Sequence, residues 1–113
     1  MQLLTDEIKA QLIHNNVTAR DTDHIPVVKW FTPWANATWI ITEMEPDGRC
    51  FGLCDVGQGA PELGYVSVEE LESIKGPAGL TIERDLYFKT DKPLSAWTAA
   101  ARVAGCVIDP DHA

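Results

Sequence analysis

The side chains of greatest chemical reach in this sequence are Cys50, Cys54 and Cys106, together with His14 and His24. Cys50 and Cys54 stand four residues apart. On an extended strand that spacing puts both on one face with Cα atoms about 13 Å apart, too far for a disulfide. A lone Cys-x-x-x-Cys with no second pair is not a zinc signature either, and His14, His24 or Cys106 would complete a metal site only through long-range folding. Buried, inert thiols are the expectation, with no metal and no cofactor. A hydrolytic centre needs a nucleophile beside a base. Cys54 or Cys106 with His14 or His24 supplies the residue types. The spacing signatures are missing: there is no nucleophile elbow, no His-Glu-x-x-His and no His-x-Glu with a cysteine pair. Gly57-Gln58-Gly59 lacks the third glycine and the following helix of a dinucleotide loop. Glu69, Glu70 and Glu72 read as a solvated helix face. No catalytic residue is assigned.

Arg84 is the residue whose position most needs an explanation. Alternation over 81–88 puts Ile82, Arg84, Leu86 and Phe88 on one strand face and Glu83, Asp85 and Tyr87 on the other. An arginine on an apolar face needs an acidic partner or a route to water. In the strand expected over 38–45, Trp39, Ile41 and Glu43 share a face, so Glu43 is similarly out of place. Glu62 is a second candidate partner. The expectation is that Arg84 pairs with Glu43 or Glu62 in a partly buried site, a bidentate pair suiting the guanidinium fork. Such a pair has a structural reading, fixing strand register, and a functional one, a ligand site. Trp30, Phe31, Pro33 and Trp34 crowd one short segment, and alternation cannot bury both Trp30 and Phe31 on one side. An exposed Trp34 would be a binding anchor, since tryptophan is enriched at interface hot spots; the alternative is a large, half-buried ring. With Tyr65, these make a candidate binding set of Arg84, Glu43, Glu62, Trp34 and Tyr65.

The elements that must position them follow from local signals. Thr5 reads as a helix N-cap, with Asp6 and Glu7 in the first turn, Ile8 and Leu12 on one face, and Asn15-Asn16 as the end. Residues 17–26 read as a loop. Strands are expected over 27–31, 38–45, 49–56, 63–66 and 81–88, with a turn at Pro46-Asp47-Gly48. Ser67 and Glu70 form a capping box, and the helix they start is expected to stop at Gly76-Pro77 with the glycine in the left-handed conformation. Ser95 is the expected cap of a last helix over 96–104 ending at Gly105, and residues 106–113 read as a flexible tail. Tight turns between strands imply an α+β domain: an antiparallel sheet of about five strands with an N-terminal, an inserted and a C-terminal helix, all packed on one face.

Length and composition bound the rest. A chain of 113 residues, 45% hydrophobic and 23% charged, suits one globular domain with an ordinary core. The formal charge is −8, with 8 acids and 4 bases in residues 1–60 and 9 and 5 in residues 61–113. A negative surface spread along the chain repels phosphate backbones and anionic lipid, which disfavours direct nucleic-acid binding. No apolar run approaches the roughly 18 residues of a membrane span. The N-terminus lacks the basic and apolar regions of a signal peptide, and an odd cysteine count gives no disulfide framework, so the cytoplasm is the expected compartment.

Several segments together resemble the family known only as domain of unknown function 2958. They are Leu3-Leu4-Thr5, Phe31-Thr32-Pro33, Thr38-Trp39 with Thr42-Glu43, Phe51-Gly52, Pro61-Glu62-Leu63-Gly64-Tyr65, Glu70-Leu71-Glu72-Ser73, Gly76-Pro77 and the run from Ile82 to Phe88. They span most of residues 3–94 and leave out the last helix. The resemblance implies a small bacterial protein of plasmids, phages and other mobile elements, with no established catalytic residues to carry over. The expected function is a non-enzymatic protein-binding accessory factor, an anti-CRISPR or antirestriction inhibitor whose partner is a nucleic-acid-handling host defence complex. One alternative is a small ligand-binding or enzymatic domain centred on Arg84 with Glu43 or Glu62. Another is a nucleic-acid accessory module, which needs Lys29, Arg49, Lys89 and Lys92 to gather on one face with Trp34.

Overall fold

The computed structural model describes residues 2–19 and 22–112. Its first helix, α1 (Asp6–Ala19), begins as its sequence suggests: the Thr5 hydroxyl accepts the Ile8 N–H at 3.1 Å, and Asp6 and Glu7 lie at the positive end of the helix dipole. It does not stop at Asn15-Asn16. Asn15 is buried and donates its side-chain amide to the Thr42 carbonyl at 2.9 Å, so the residue acts as a tether across the core rather than a breaker.

Five strands follow: β1 (Val28–Phe31), β2 (Thr38–Met44), β3 (Arg49–Asp55), β4 (Glu62–Ser67) and β5 (Glu83–Arg84). They form one antiparallel sheet in the order β4-β3-β2-β1-β5. The β2–β3 turn falls at the expected residues, with the Gly48 N–H donating to the Glu45 carbonyl at 2.9 Å. The fifth strand is far shorter than alternation over 81–88 suggests. Asp85 ends it, its carboxylate accepting the Tyr87 N–H at 2.9 Å and its carbonyl the Phe88 N–H at 3.4 Å. That local turn competes successfully with the ladder.

The helix α2 (Val68–Ser73) is capped by Ser67, whose hydroxyl accepts the Glu70 N–H at 3.3 Å. It ends earlier than expected, with Ile74 as its C-cap. Gly76 is extended (φ −93°) rather than left-handed. It must be glycine for a different reason: a Cβ there would sit 2.5 Å from the Trp34 indole ring, which lies flat against the bare backbone. The last helix, α3 (Leu94–Ala104), takes Pro93 at its cap position, so Ser95 lies inside it. The cap hydrogen bonds come instead from Asp23, whose carboxylate accepts both the Ser95 N–H, at 3.0 Å, and the Ser95 hydroxyl. Gly105 closes the helix at φ +78°.

The helices cover both faces of the sheet, not one. On the first face α1 and α2 pack with Leu3, Trp30, Trp39, Ile41, Met44 and Ile82. On the second, α3 buries Leu94, Trp97 and Ala101 against Ile40 and Leu53. The sequence signal is Trp39-Ile40-Ile41, an unbroken apolar run on a central strand that has to be covered from both sides.

A β-bulge at Thr42 makes this two-sided arrangement uneven. Ile41 stands opposite Gly52, yet Glu43 stands opposite Phe51, so one extra residue of β2 is spent on one step of β3. Every side chain beyond Thr42 is therefore on the face opposite to the one strict alternation assigns it. At the neighbouring step the backbones come so close that a Cβ on Gly52 would overlap the Ile40 carbonyl. Gly52→Ala is expected to destabilise the fold by about 3 kcal/mol, read from chemical denaturation. An unchanged unfolding midpoint would contradict this geometry.

Candidate functional site

The bulge decides where the candidate residues fall. Arg84, Trp30, Trp39, Cys54 and Glu62 stand opposite one another in a single cross-strand row from edge to edge. Arg84 is at one end and Glu62 at the other, four strand spacings or about 19 Å apart. Glu43 has been turned to the α3 face with Phe51, away from the α1 face that carries Arg84. The expected pairing of Arg84 with Glu43 or Glu62 is therefore wrong on both counts. Arg84 instead donates from Nη1 to the Gln2 carbonyl at 2.8 Å. Beside it Trp30 donates from Nε1 to the Leu3 carbonyl at 2.9 Å. The misplaced arginine is a clasp for the N-terminal arm.

Glu43 and Tyr65 do come together, in a groove of about 380 Å³ on the α3 face beside β4. Its floor is Phe51, whose ring lies 5.1 Å from that of Tyr65. Its rim carries Asp23, Glu43 and Glu45 against Arg49. Glu43 is buried and accepts from the Asn16 amide at 3.4 Å. Arg49 lies 3.9 Å above the Tyr65 ring and 4.0 Å from the Glu45 carboxylate. Glu62 begins the same strand as Tyr65 but faces the other side, exposed at the sheet edge. Trp34 joins none of these: it is half buried, packed on Gly76 and the first core.

The edge itself is the feature the candidate set only touched. β4 is an edge strand of six residues, paired with β3 in unbroken register, and it contains no proline and no basic residue. Leu63 and Tyr65 point to the groove side, 42% and 52% exposed. The opposite edge, β5, is only two residues long. Natural sheets blunt their edges with short strands, proline, lysine or bulges; β5 is treated in this way and β4 is not.

Residues 3–108 match the family described as protein of unknown function DUF2958. The chain belongs to that family. The match includes α3, which the sequence resemblance left out, and so takes in the helix that covers the second sheet face. No curated protein and no solved structure matches the chain.

In this DUF2958 chain Cys106 and His24, one nucleophile–base pair that the residue types offer, lie apart. Cys106 follows the C-terminus of α3, whereas His24 holds the N-terminus of that helix, its carbonyl accepting the Leu94 N–H at 2.9 Å. A helix of 11 residues, about 16 Å, lies between them. Cys50 and Cys54 share a strand face, as their spacing implies, and are free thiols. Burial pushes the Cys50 thiol up to about 12 and the Cys54 thiol up as well. Among the described residues no helix is long and apolar enough to cross a membrane.

Two consequences can be measured. In the native protein a thiol reagent at pH 8 should titrate Cys106 rapidly and Cys50 not at all, with all three reacting after denaturation; Cys106→Ser should remove the fast phase. Because folding raises the Cys50 value, its contribution to stability is complete below about pH 9, the unfolded value, and is lost as pH rises toward 12. Alkaline denaturation should therefore shift to higher pH in Cys50→Ala, once corrected for the methyl-sized cavity by comparison at pH 7.

Proposed function

We propose that this protein is a non-enzymatic, protein-binding accessory factor of a mobile element that disarms a nucleic-acid-handling host defence complex, and that it engages its partner through the open edge of β4. The supporting observation is that edge: six residues of uncapped backbone with Leu63 and Tyr65 beside it. An extended partner segment can add there as a sixth strand, its main chain supplying hydrogen bonds and the Phe51–Tyr65 groove receiving alternate side chains. The partner segment is basic. The chain carries a net charge of −8, which favours a partner of opposite sign. A second copy of this chain would bring the same negative charge and is the poorer occupant. The mobile-element setting comes from the sequence resemblance, in which such proteins travel with plasmids and phages.

The competing readings have less support. The ligand site built on Arg84 with Glu43 or Glu62 has no common location. Of the four bases a nucleic-acid face needs, three have acidic neighbours: Lys29 pairs with Asp85 at 3.7 Å, Arg49 with Glu45 at 4.0 Å, and Lys92 with Asp91 and Asp111.

The test uses the tagged protein against host lysate, with Leu63→Lys/Tyr65→Lys as the edge-blocked variant. The expected result is a nucleic-acid-handling protein retained by the wild type and weakened at least tenfold with the variant, whose thermal midpoint is unchanged. Equal retention by both proteins would refute the edge as the interface. A wild-type dimer that the variant dissociates would assign the edge to a second copy of the chain, and turnover of a substrate would displace the non-enzymatic reading.

A further inference from the structure

The α3 face has a second concavity, at the end of the sheet away from β4. It is an open cleft of about 800 Å³ between the β1–β5 ladder, the 32–38 connection, the loop around Gly57 and the chain leaving α3. Five charged residues line it, and four are already engaged. Lys29 is paired with Asp85. Asp55 is 2% exposed and accepts the N–H groups of Gly57 at 2.8 Å and Val107 at 3.1 Å, which tie the loop after β3 to the chain beyond α3. Arg84 is turned to the opposite sheet face and held by the N-terminal arm.

Glu83 is different. It stands directly opposite Phe31 on β1 and is half buried in the cleft wall, and no ion pair or hydrogen bond among the described residues engages its carboxylate. A partly desolvated carboxylate beside an aromatic ring, in a cavity of ligand size, is a recognition arrangement with a definite sign. An anion is disfavoured, because among the described residues the base whose head faces the cleft, Lys29, is already paired with Asp85. A compact, strongly hydrated ammonium gains little from the ring. A planar cation meets both walls: its paired N–H groups match the two carboxylate oxygens, and its face lies on the phenyl ring.

We infer that this cleft binds a small molecule bearing a guanidinium or amidinium group, with Glu83 accepting its N–H pair and Phe31 carrying its flat face. The site is independent of the β4 edge. It uses the other end of the sheet, and neither reading requires the other.

Benzamidine is the probe, with uncharged benzamide as its isosteric control, each titrated into the full chain and followed by amide chemical shifts. The expected result is saturable binding of benzamidine, at least tenfold tighter than benzamide, with shifts at Phe31, Thr38 and Glu83. Glu83→Gln should abolish that preference while leaving the spectrum otherwise folded. Equal affinity for the two probes, no saturable binding, or an undiminished preference in Glu83→Gln would overturn the site. Agmatine and a capped Gly-Arg-Gly peptide separate the two sources of a guanidinium. Agmatine should bind the tighter of the two, and a tighter peptide would overturn the assignment to a free small molecule.

Discussion

One extra residue in β2 decides which side chains the two sheet faces of this molecule carry. Without the bulge at Thr42, Glu43 would lie beneath α1 among Trp39, Ile41 and Leu12, where a carboxylate has no water and few donors. The bulge turns it to the groove opposite Phe51 and returns Met44, opposite Cys50, to the first core. It also interrupts the ladder where β1 has run out, and the freed Thr42 carbonyl is taken up by the Asn15 amide. Three features thus share one cause: the length of α1, the polarity of the groove and the close passage of β2 over Gly52.

The two sheet edges show opposite solutions to one problem. At β5, the strand stops after two residues because Asp85 turns the chain, which leaves little edge to pair. At β4, six residues stay extended with a leucine and a tyrosine showing, and no comparable device is present in the strand. Exposed edges carry a standing risk of aggregation, and the contrast between the two edges is what supports the proposed use of the bare one. In that proposal the net charge of −8 favours a basic strand over a second copy of the chain.

How much of this was legible in the sequence depended on the range of the interaction. Thr5, Ser67 and the Pro46-Asp47-Gly48 turn act within a few residues, and all behave as their types predict. The α+β class and the shared face of Cys50 and Cys54 follow from periodicity alone. What could not be read are contacts between distant segments. The partner of Arg84 is a backbone carbonyl 82 residues away, and carbonyls leave no mark in a sequence. Asp23 binds Ser95, 72 residues downstream, and the cap position falls at Pro93, two residues before the serine whose type suggests it. Gly76 meets a need for space rather than for backbone freedom, set by the Trp34 ring from a distant part of the chain. The bulge was the costliest omission, since period-2 reasoning holds only until a strand inserts a residue. Trp39-Ile40-Ile41 was the available clue that α3 must lie on the second face.

The central claim is that β4 presents free backbone to solvent. Amide hydrogen exchange, resolved residue by residue in the isolated chain, tests it most directly. The account predicts alternation: amides of β4 that point toward β3 are protected, and those that point outward exchange about a hundredfold faster or more, as open edges do. Protection of every amide along β4 in the isolated chain would mean the edge is already covered, and would contradict the account.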